Sequence, residues 1–427
     1  MLHHSLFFLT SLILLAHCSD VGKIWFINDI HYQWTYKVGS DPKHHCNKGT
    51  GDAGPYGNFK CNTPLSLLES TLDFMNKVEP NPDYLAWLGD IVPHASVMKI
   101  KDMFDKKILK MLLQEMTDTI NSRFSNTKKL WVLGNHDVYP SHQFSRLTRY
   151  VYDMVLEMWG NDIPHDQHDQ FKKGGYYVHD VNDKLSVIVL NTNHYFLMNV
   201  ESIVSHDPEH QFEWIEEQMK RLEREDRKAI LLFHVPPGVV ESTFAAVSNF
   251  HPQFNHRFLD ALHLGLEQKR IAFAAAGHEH SQALRLLADK NDIPTAPLFI
   301  LPSVVSDDNM LYSGNFPGVR LVTFNRTNGN VLDYHQYYLN ITTANKELKP
   351  NWQLHHSARE AFGIRDVSGD SLFNLWKRMN NDEELLGKYI RMNTNGVAMK
   401  DLTKECAVRH LCAFRYSRLT EFYKCWI

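Results

Sequence analysis

The sequence predicts an α/β sandwich with mixed sheets, helices outside, and a small helical C-terminal region. Three observations predict it. Short apolar runs alternate with helix-period stretches up to about residue 276, apolar runs then follow one another, and the pattern turns helical from about residue 356. The 427 residues suffice for a large core, and 43% apolar with 22% charged residues is an ordinary globular composition. A net charge of −4 supplies no basic field, so no nucleic-acid polymer is expected as a partner.

In chain order, residues 22–27 read as a strand and 64–77 as a helix with Leu65, Leu68, Leu72 and Met75 on one face. A strand at 84–88, a long amphipathic helix at 97–124 and a strand at 129–133 follow. Next come a helix at 145–159, strands at 176–179 and 185–190, a charged helix at 209–225 and a strand at 229–233. A helix at 252–268 leads to strands at 271–276, 298–301, 319–324 and 332–339. Gly49–Gly54 fits G-x-G-x-x-G, but no strand precedes it and Pro55 follows, so it reads as a loop and not a dinucleotide site.

Residues 5–16 are almost unbroken apolar sequence before His17-Cys18-Ser19, the pattern of a signal peptide over residues 1–19. The run is too short to span a bilayer. A secreted chain is therefore expected, with an acidic organelle such as the lysosome as the alternative. Five cysteines follow that segment. Cys46 and Cys61 bracket a Gly- and Pro-rich loop that a disulfide would hold, and three more crowd the C-terminal end. Asn325 and Asn340 begin N-x-T sequons, usable for glycosylation only on a secretory path.

Five predicted strands end in metal-binding residue types. The run ending at Ile27 meets Asp29 and His31, and the one ending at Leu88 meets Gly89-Asp90. Leu133 is followed by Gly134-Asn135-His136-Asp137, Phe233 by His234, and Ala276 by Gly277-His278-Glu279-His280. Ligands of α/β sheets gather beyond the strands' carboxyl ends, so these five ends can converge on one site. Imidazole, carboxylate and amide donors suit Zn, Mn or Fe better than Ca. Two such ions, about 3.5–4 Å apart, clamp the attacking and leaving oxygens of an in-line displacement at phosphorus.

The series Asp-x-His, Gly-Asp, Gly-Asn-His, His and Gly-His-x-His resembles the calcineurin-like metallophosphoesterase superfamily. More narrowly, the chain from about residue 23 onward is similar to the acid sphingomyelinase-like phosphodiesterases. The segments from Asn28 to Tyr32, Gly89 to His94, His234 to Gly238 and Leu332 to Asn340 carry the similarity, as do Tyr36-Lys37, Ser40-Asp41-Pro42 and the Cys46–Cys61 loop. The resemblance implies a four-layer α/β/β/α sandwich over residues 20–345, with a helical, disulfide-containing region at 346–427. It implies two zinc ions. Asp29, His31 and His280 would hold one, Asn135, His234 and His278 the other, with Asp90 bridging. His136 would protonate the leaving group and His94 would contact the phosphate. In the C-terminal region, Cys412 would pair with Cys425, leaving Cys406 free.

The implied activity is hydrolysis of soluble phosphodiesters or nucleotides by a monomer, since the catalytic region is expected to begin directly after the signal, without a saposin domain. Sphingomyelin cleavage is the alternative, with the apolar stripe of the 97–124 helix meeting the membrane. A secreted non-catalytic effector is a further one. A purple acid phosphatase is disfavoured: Pro93 stands where that group needs its tyrosine ligand, and Asp29-x-His31 replaces its Asp-x-Gly. Two departures from the family touch the site. Glu279 adds negative charge between two candidate ligands, and Asn315-Phe316-Pro317-Gly318 carries an extra residue at the expected rim.

Overall fold

The computed structural model describes residues 20–241, 246–306, 314–397 and 402–427. The expected signal peptide, residues 1–19, lies outside the described residues.

The first sheet grows around β1 (Val21–Ile27), whose last four residues are all buried. A strand buried on both faces reads as continuous apolar sequence, as this one does. β2 (Tyr84–Trp87) and β3 (Lys128–Trp131) extend the sheet in parallel on one side. The second sheet contains β4 (Tyr177–Asp180), β5 (Leu185–Val189), β6 (Lys228–Leu232), β7 (Ile271–Ala276), β8 (Ala283–Ala288) and β9 (Pro294–Ile300), in the order β4-β5-β6-β7-β9-β8. The chain then returns to the first sheet. β10 (Gly318–Asn325), β11 (Val331–Leu339) and β12 (Trp352–Ser357) complete the order β12-β11-β10-β1-β2-β3, all three antiparallel to their neighbours.

The thirteen α-helices of the described residues are α1 (Leu65–Val78), α2 (Lys106–Arg123), α3 (Tyr150–Trp159), α4 (His168–Gly174), α5 (Gln211–Arg224), α6 (Pro252–Ala261) and α7 (His263–Glu267), then α8 (Ile341–Glu347), α9 (Ala358–Phe362), α10 (Gly369–Met379), α11 (Glu383–Met392), α12 (Lys404–Arg415) and α13 (Leu419–Trp426). Side-chain alternation sorts the layers. Ile230, Leu232, Phe273 and Ala275 face the first sheet, where Phe26 and Phe273 meet edge to face at 6.4 Å. Their neighbours Ala229, Leu231, Phe233 and Ala274 face the other way, onto Phe212 and Ile215 of α5 and Phe254 and Phe258 of α6. On the first sheet's outer face Phe74 of α1 stacks on Trp352 at 5.3 Å, and Trp159 of α3 stacks on Trp131 at 4.9 Å. Full burial of such a side chain contributes about 1.5–3 kcal/mol. The result is the expected α/β/β/α sandwich.

Several expected boundaries shift. The helix read over 97–124 is two 3-10 turns, Ala95–Val97 and Asp102–Phe104, followed by α2; Asp105 caps α2 by accepting from Lys107 N at 2.8 Å. The apolar stripe of α2, from Leu109 to Ile120, is core. The helix read over 252–268 is α6 and α7 in succession, and the one over 145–159 shortens to α3 behind a 3-10 turn. β8 and β12 carry no sequence signal. β8 has an arginine inside an Ala/Leu run, and β12 is a polar edge strand bulged against β11.

The C-terminal helices pack on the second sheet. Tyr389 of α11 both donates to Leu284 O and accepts from Leu284 N of β8. Disulfides join Cys46 to Cys61 and Cys412 to Cys425, and Cys406 is a free thiol, all as expected. No described helix is long and apolar enough to cross a membrane. Closing a loop of 15 residues stabilises a fold by about 3 kcal/mol in the chain-entropy picture. Replacing Cys46 and Cys61 with alanine is therefore expected to lower the urea-unfolding free energy by about that amount. A loss below about 1 kcal/mol would mean that the loop is held by its hydrogen bonds alone.

Candidate metal centre

The strands β1, β2 and β3 of one sheet and β6 and β7 of the other end at a common edge, and all seven expected ligands meet there. The backbone leaves each strand abruptly. Asp29, His31, Asp90, His278 and His280 all have φ between 47° and 74°, the left-handed region. Non-glycine residues pay of order 1–3 kcal/mol each for such conformations, which persist where the surroundings over-determine them. Here they do. Asp29 N donates to Gly89 O, His31 N to Asp90 O and His278 N to Asp29 Oδ2, all at 2.9–3.0 Å. Gly89, at φ 95°, and Gly134 touch so closely that a Cβ on Gly134 would stand 2.1 Å from Asp90 N. Only glycine fits this crossing.

Asp137, a residue the sequence displayed without a role, ties the crossing together. Its Oδ2 accepts from Asp90 N at 2.9 Å and Gly134 N at 2.8 Å, and its Oδ1 from Ile91 N at 2.8 Å and Val92 N at 3.2 Å. Burial pushes its carboxyl up to about 7, with Asp90 adding to the rise and the backbone donors opposing it.

The donor atoms converge on Asp90. His31 Nδ1 lies 2.8 Å from Val92 O and His234 Nδ1 2.6 Å from Leu88 O. A carbonyl only accepts, so each Nδ1 carries the proton and each Nε2 turns a lone pair inward. Those Nε2 atoms stand 3.5 and 3.3 Å from Asp90 Oδ2. Asp29 Oδ1, fully buried and without a hydrogen-bond partner, lies 4.0, 3.9 and 3.6 Å from Nε2 of His31, His234 and His280. Asn135 Oδ1 lies 2.9 Å from His234 Nε2 and 2.8 Å from His278 Nδ1. Lone pairs so directed at one another call for a cation between them, and this donor set fits divalent ions. The electrostatics agree. Burial lowers the His234 pKa, but Asp90 and Asp29 outweigh it and lift the ring to about 9, so without a cation a proton on Nε2 answers the two carboxylates. For Asp29, burial raises the pKa but the facing imidazoles win and hold it well below the carboxylate range.

The two expected catalytic histidines stand beside this cluster. His94 stacks on His31 with ring centroids 3.8 Å apart, and His136 meets both edge-on at 5.0 Å. His136 N donates to Asp90 Oδ1 at 2.8 Å. Burial and the neighbouring histidines hold His136, like His31, well below the usual imidazole range. An anionic phosphate beside it would raise that pKa.

Sequence reading missed the residues that orient these groups. Asn62 accepts from His94 N at 2.7 Å and offers Nδ2 to His94 Nδ1 at 3.0 Å. His142 Nδ1 takes Asn135 Nδ2 at 2.9 Å, which turns the amide oxygen toward His234 and His278. Phe196 packs edge-on against His278 at 4.7 Å. None of these follows a strand end directly, so no local pattern flags them.

Glu279 corrects an expectation. It does not add charge to the centre, because Arg285 Nη2 donates to both its oxygens at 2.8 and 2.7 Å and Asn249 Nδ2 to one at 2.7 Å. Arg285 also pairs with buried Glu241, whose carbonyl accepts from Arg409 of α12 at 2.8 Å. The His278–His280 turn is thus fastened to the C-terminal helices. The inserted Phe316 packs between Phe59 at 5.8 Å and Tyr338 at 6.1 Å.

Known proteins are similar to this chain. The calcineurin-like phosphoesterase family model matches residues 22–282, and that of the acid sphingomyelin phosphodiesterase C-terminal region matches residues 293–426. Sphingomyelinase phosphodiesterase C of Dictyostelium discoideum is 30% identical over 95% of this chain and 93% of its own length. Acid sphingomyelinase-like phosphodiesterase 3b of Homo sapiens is 29% identical over 95% and 90%. Cyclic GMP-AMP phosphodiesterase SMPDL3A of Bos taurus is 32% identical over 84% and 80%. With its two sheets closing on one cluster of histidines and aspartates, the chain belongs to the calcineurin-like phosphoesterases, in their acid sphingomyelinase-like branch, and is a metal-dependent phosphodiesterase.

Proposed function

We propose that this chain is a secreted di-zinc phosphodiesterase of soluble phosphodiesters and nucleotides. The observation that carries the reading is Asp90, whose Oδ2 lies 3.5 Å from His31 and 3.3 Å from His234, the position of a bridging ligand. Asp29, His31 and His280 would hold one ion and Asn135, His234 and His278 the other, with Asp90 shared. Ions held there would polarise the phosphoryl group and acidify the attacking water. The chain's own residues do the rest. His94, fixed by Asn62, would bind a phosphoryl oxygen, and His136, pinned through its backbone to Asp90, would deliver a proton to the departing oxygen.

A relative named for cyclic GMP-AMP supports the nucleotide side of the reading, and relatives named for sphingomyelin keep the lipid alternative in view. The burial of the α2 stripe removes one feature offered for lipid contact. Glycosylation of Asn325 and Asn340 belongs to the same proposal. Both are half-buried, and each caps a turn, with Oδ1 accepting from Thr327 N at 2.9 Å and from Thr343 N at 3.0 Å. So does the division into a catalytic domain over 20–345 and a helical region over 346–427, between which β12 pairs back onto β11.

Purified chain assayed on a nucleoside triphosphate, a cyclic dinucleotide, CDP-choline, bis-p-nitrophenyl phosphate and sphingomyelin micelles tests the proposal. Cleavage of nucleotides or small diesters, abolished by chelator and restored by zinc, is expected; phosphocholine release from sphingomyelin alone would replace the reading with the lipid one. His136→Gln is expected to lower kcat by about 10²–10⁴-fold on a nucleotide diester at unchanged metal content. The loss on bis-p-nitrophenyl phosphate should be far smaller, because that leaving group needs little protonation. Equal losses on both would remove His136 from the role of acid.

A further inference from the structure

The chain segments that follow His31 and His94 line a groove of about 670 Å³ whose rim is basic. Lys37, Lys43, Lys48 and Lys99 line it, all exposed, against Asp102 as the one acid. The nearby Asp41 carboxylate is engaged by His44 Nδ1 at 2.9 Å. In a chain of net charge −4, this is a local reversal of sign.

The groove adjoins the centre by short chain segments. Trp34 of its lining is three residues past His31, and Val97 three residues past His94, a span of at most about 11 Å. Its wall is built. Lys37 N donates to Cys46 O at 2.7 Å, Asp41 N to Lys48 O at 3.1 Å, and the Cys46–Cys61 disulfide closes the loop behind them. Gln33 braces that wall to the centre, donating to His45 O at 2.7 Å and accepting from Asn62 N at 3.0 Å, the same Asn62 that fixes His94. Thr35 Oγ1, buried in the same lining segment, has no hydrogen-bond partner. Trp34, half-buried, offers a ring face of the kind on which bases stack.

We propose that this groove is a subsite for anionic groups beyond the scissile phosphate, such as the phosphate chain of a nucleoside polyphosphate. The inference rests on the phosphodiesterase reading above and deepens it. Four ammonium groups around one groove attract a polyanion and oppose a choline headgroup, an effect that salt screens beyond about 8 Å at physiological ionic strength. A pre-ordered wall keeps the cost of binding low.

The test compares the chain with its Lys43→Gln/Lys48→Gln/Lys99→Gln variant, three exposed positions whose change spares the core. The readout is the ratio of kcat/KM for a nucleoside triphosphate to that for bis-p-nitrophenyl phosphate. The ratio is expected to fall about tenfold in the variant, and added NaCl should lower it in the wild type but hardly in the variant. An unchanged ratio overturns the subsite, as does a variant defect confined to sedimentation with phosphatidylserine vesicles, which would mark a membrane contact instead. If the wild type hydrolyses neither compound, the phosphodiesterase reading fails by itself. Calorimetry with inorganic triphosphate then still decides the groove: weaker binding by the variant sustains it, and equal binding overturns it.

Discussion

The Asp137 carboxylate, accepting four backbone N–H groups from the turns after β2 and β3, is the interaction on which the centre depends. It gathers Gly89–Val92 and Gly134 around one anion, as a nest of amides does. That fixes Asp90, whose Oδ1 anchors His136 N while its Oδ2 faces His31 and His234. It also stabilises the left-handed conformation of Asp90, which would be strained alone. Without Asp137 the Gly89–Gly134 crossing would leave four buried N–H donors unmet, each costing about 1–3 kcal/mol.

A second layer of polar contacts joins the centre to distant chain segments. Arg285 of β8 holds Glu279 between His278 and His280, and through Glu241 it meets Arg409 of α12. Breaking a buried ion pair by removing one partner costs several kcal/mol, so this cluster is a rigid mount for the turn. The N-terminal segment that supplies Asp29 and the C-terminal helices that brace His278 therefore act on the same few ångströms.

What was legible in the sequence was the join between hydrophobic strand and chemistry. β1, β2, β3, β6 and β7 read clearly because both faces are buried and each run stops where ligand types begin. β8 and β12 were illegible: one hides a buried arginine in a helix-like run, the other is a polar edge. The candidate ligands Asp29, His31, Asp90, Asn135, His234, His278 and His280 announced themselves, whereas Asn62, His142 and Asp137 act through contacts that only the fold creates. Glu279 was misread because its partner Arg285 reaches it across a strand turn, and neighbouring ligands in sequence suggested the wrong surroundings. The 97–124 helix was overextended because two 3-10 turns share its apolar spacing until Asp105 resets the backbone.

The most direct measurement is anomalous diffraction from crystals of the purified protein, recorded on both sides of the zinc edge. Two zinc peaks about 3.5–4 Å apart are expected, both at coordination distance from the Asp90 carboxylate. A single peak, or two peaks that do not share Asp90, would contradict that expectation.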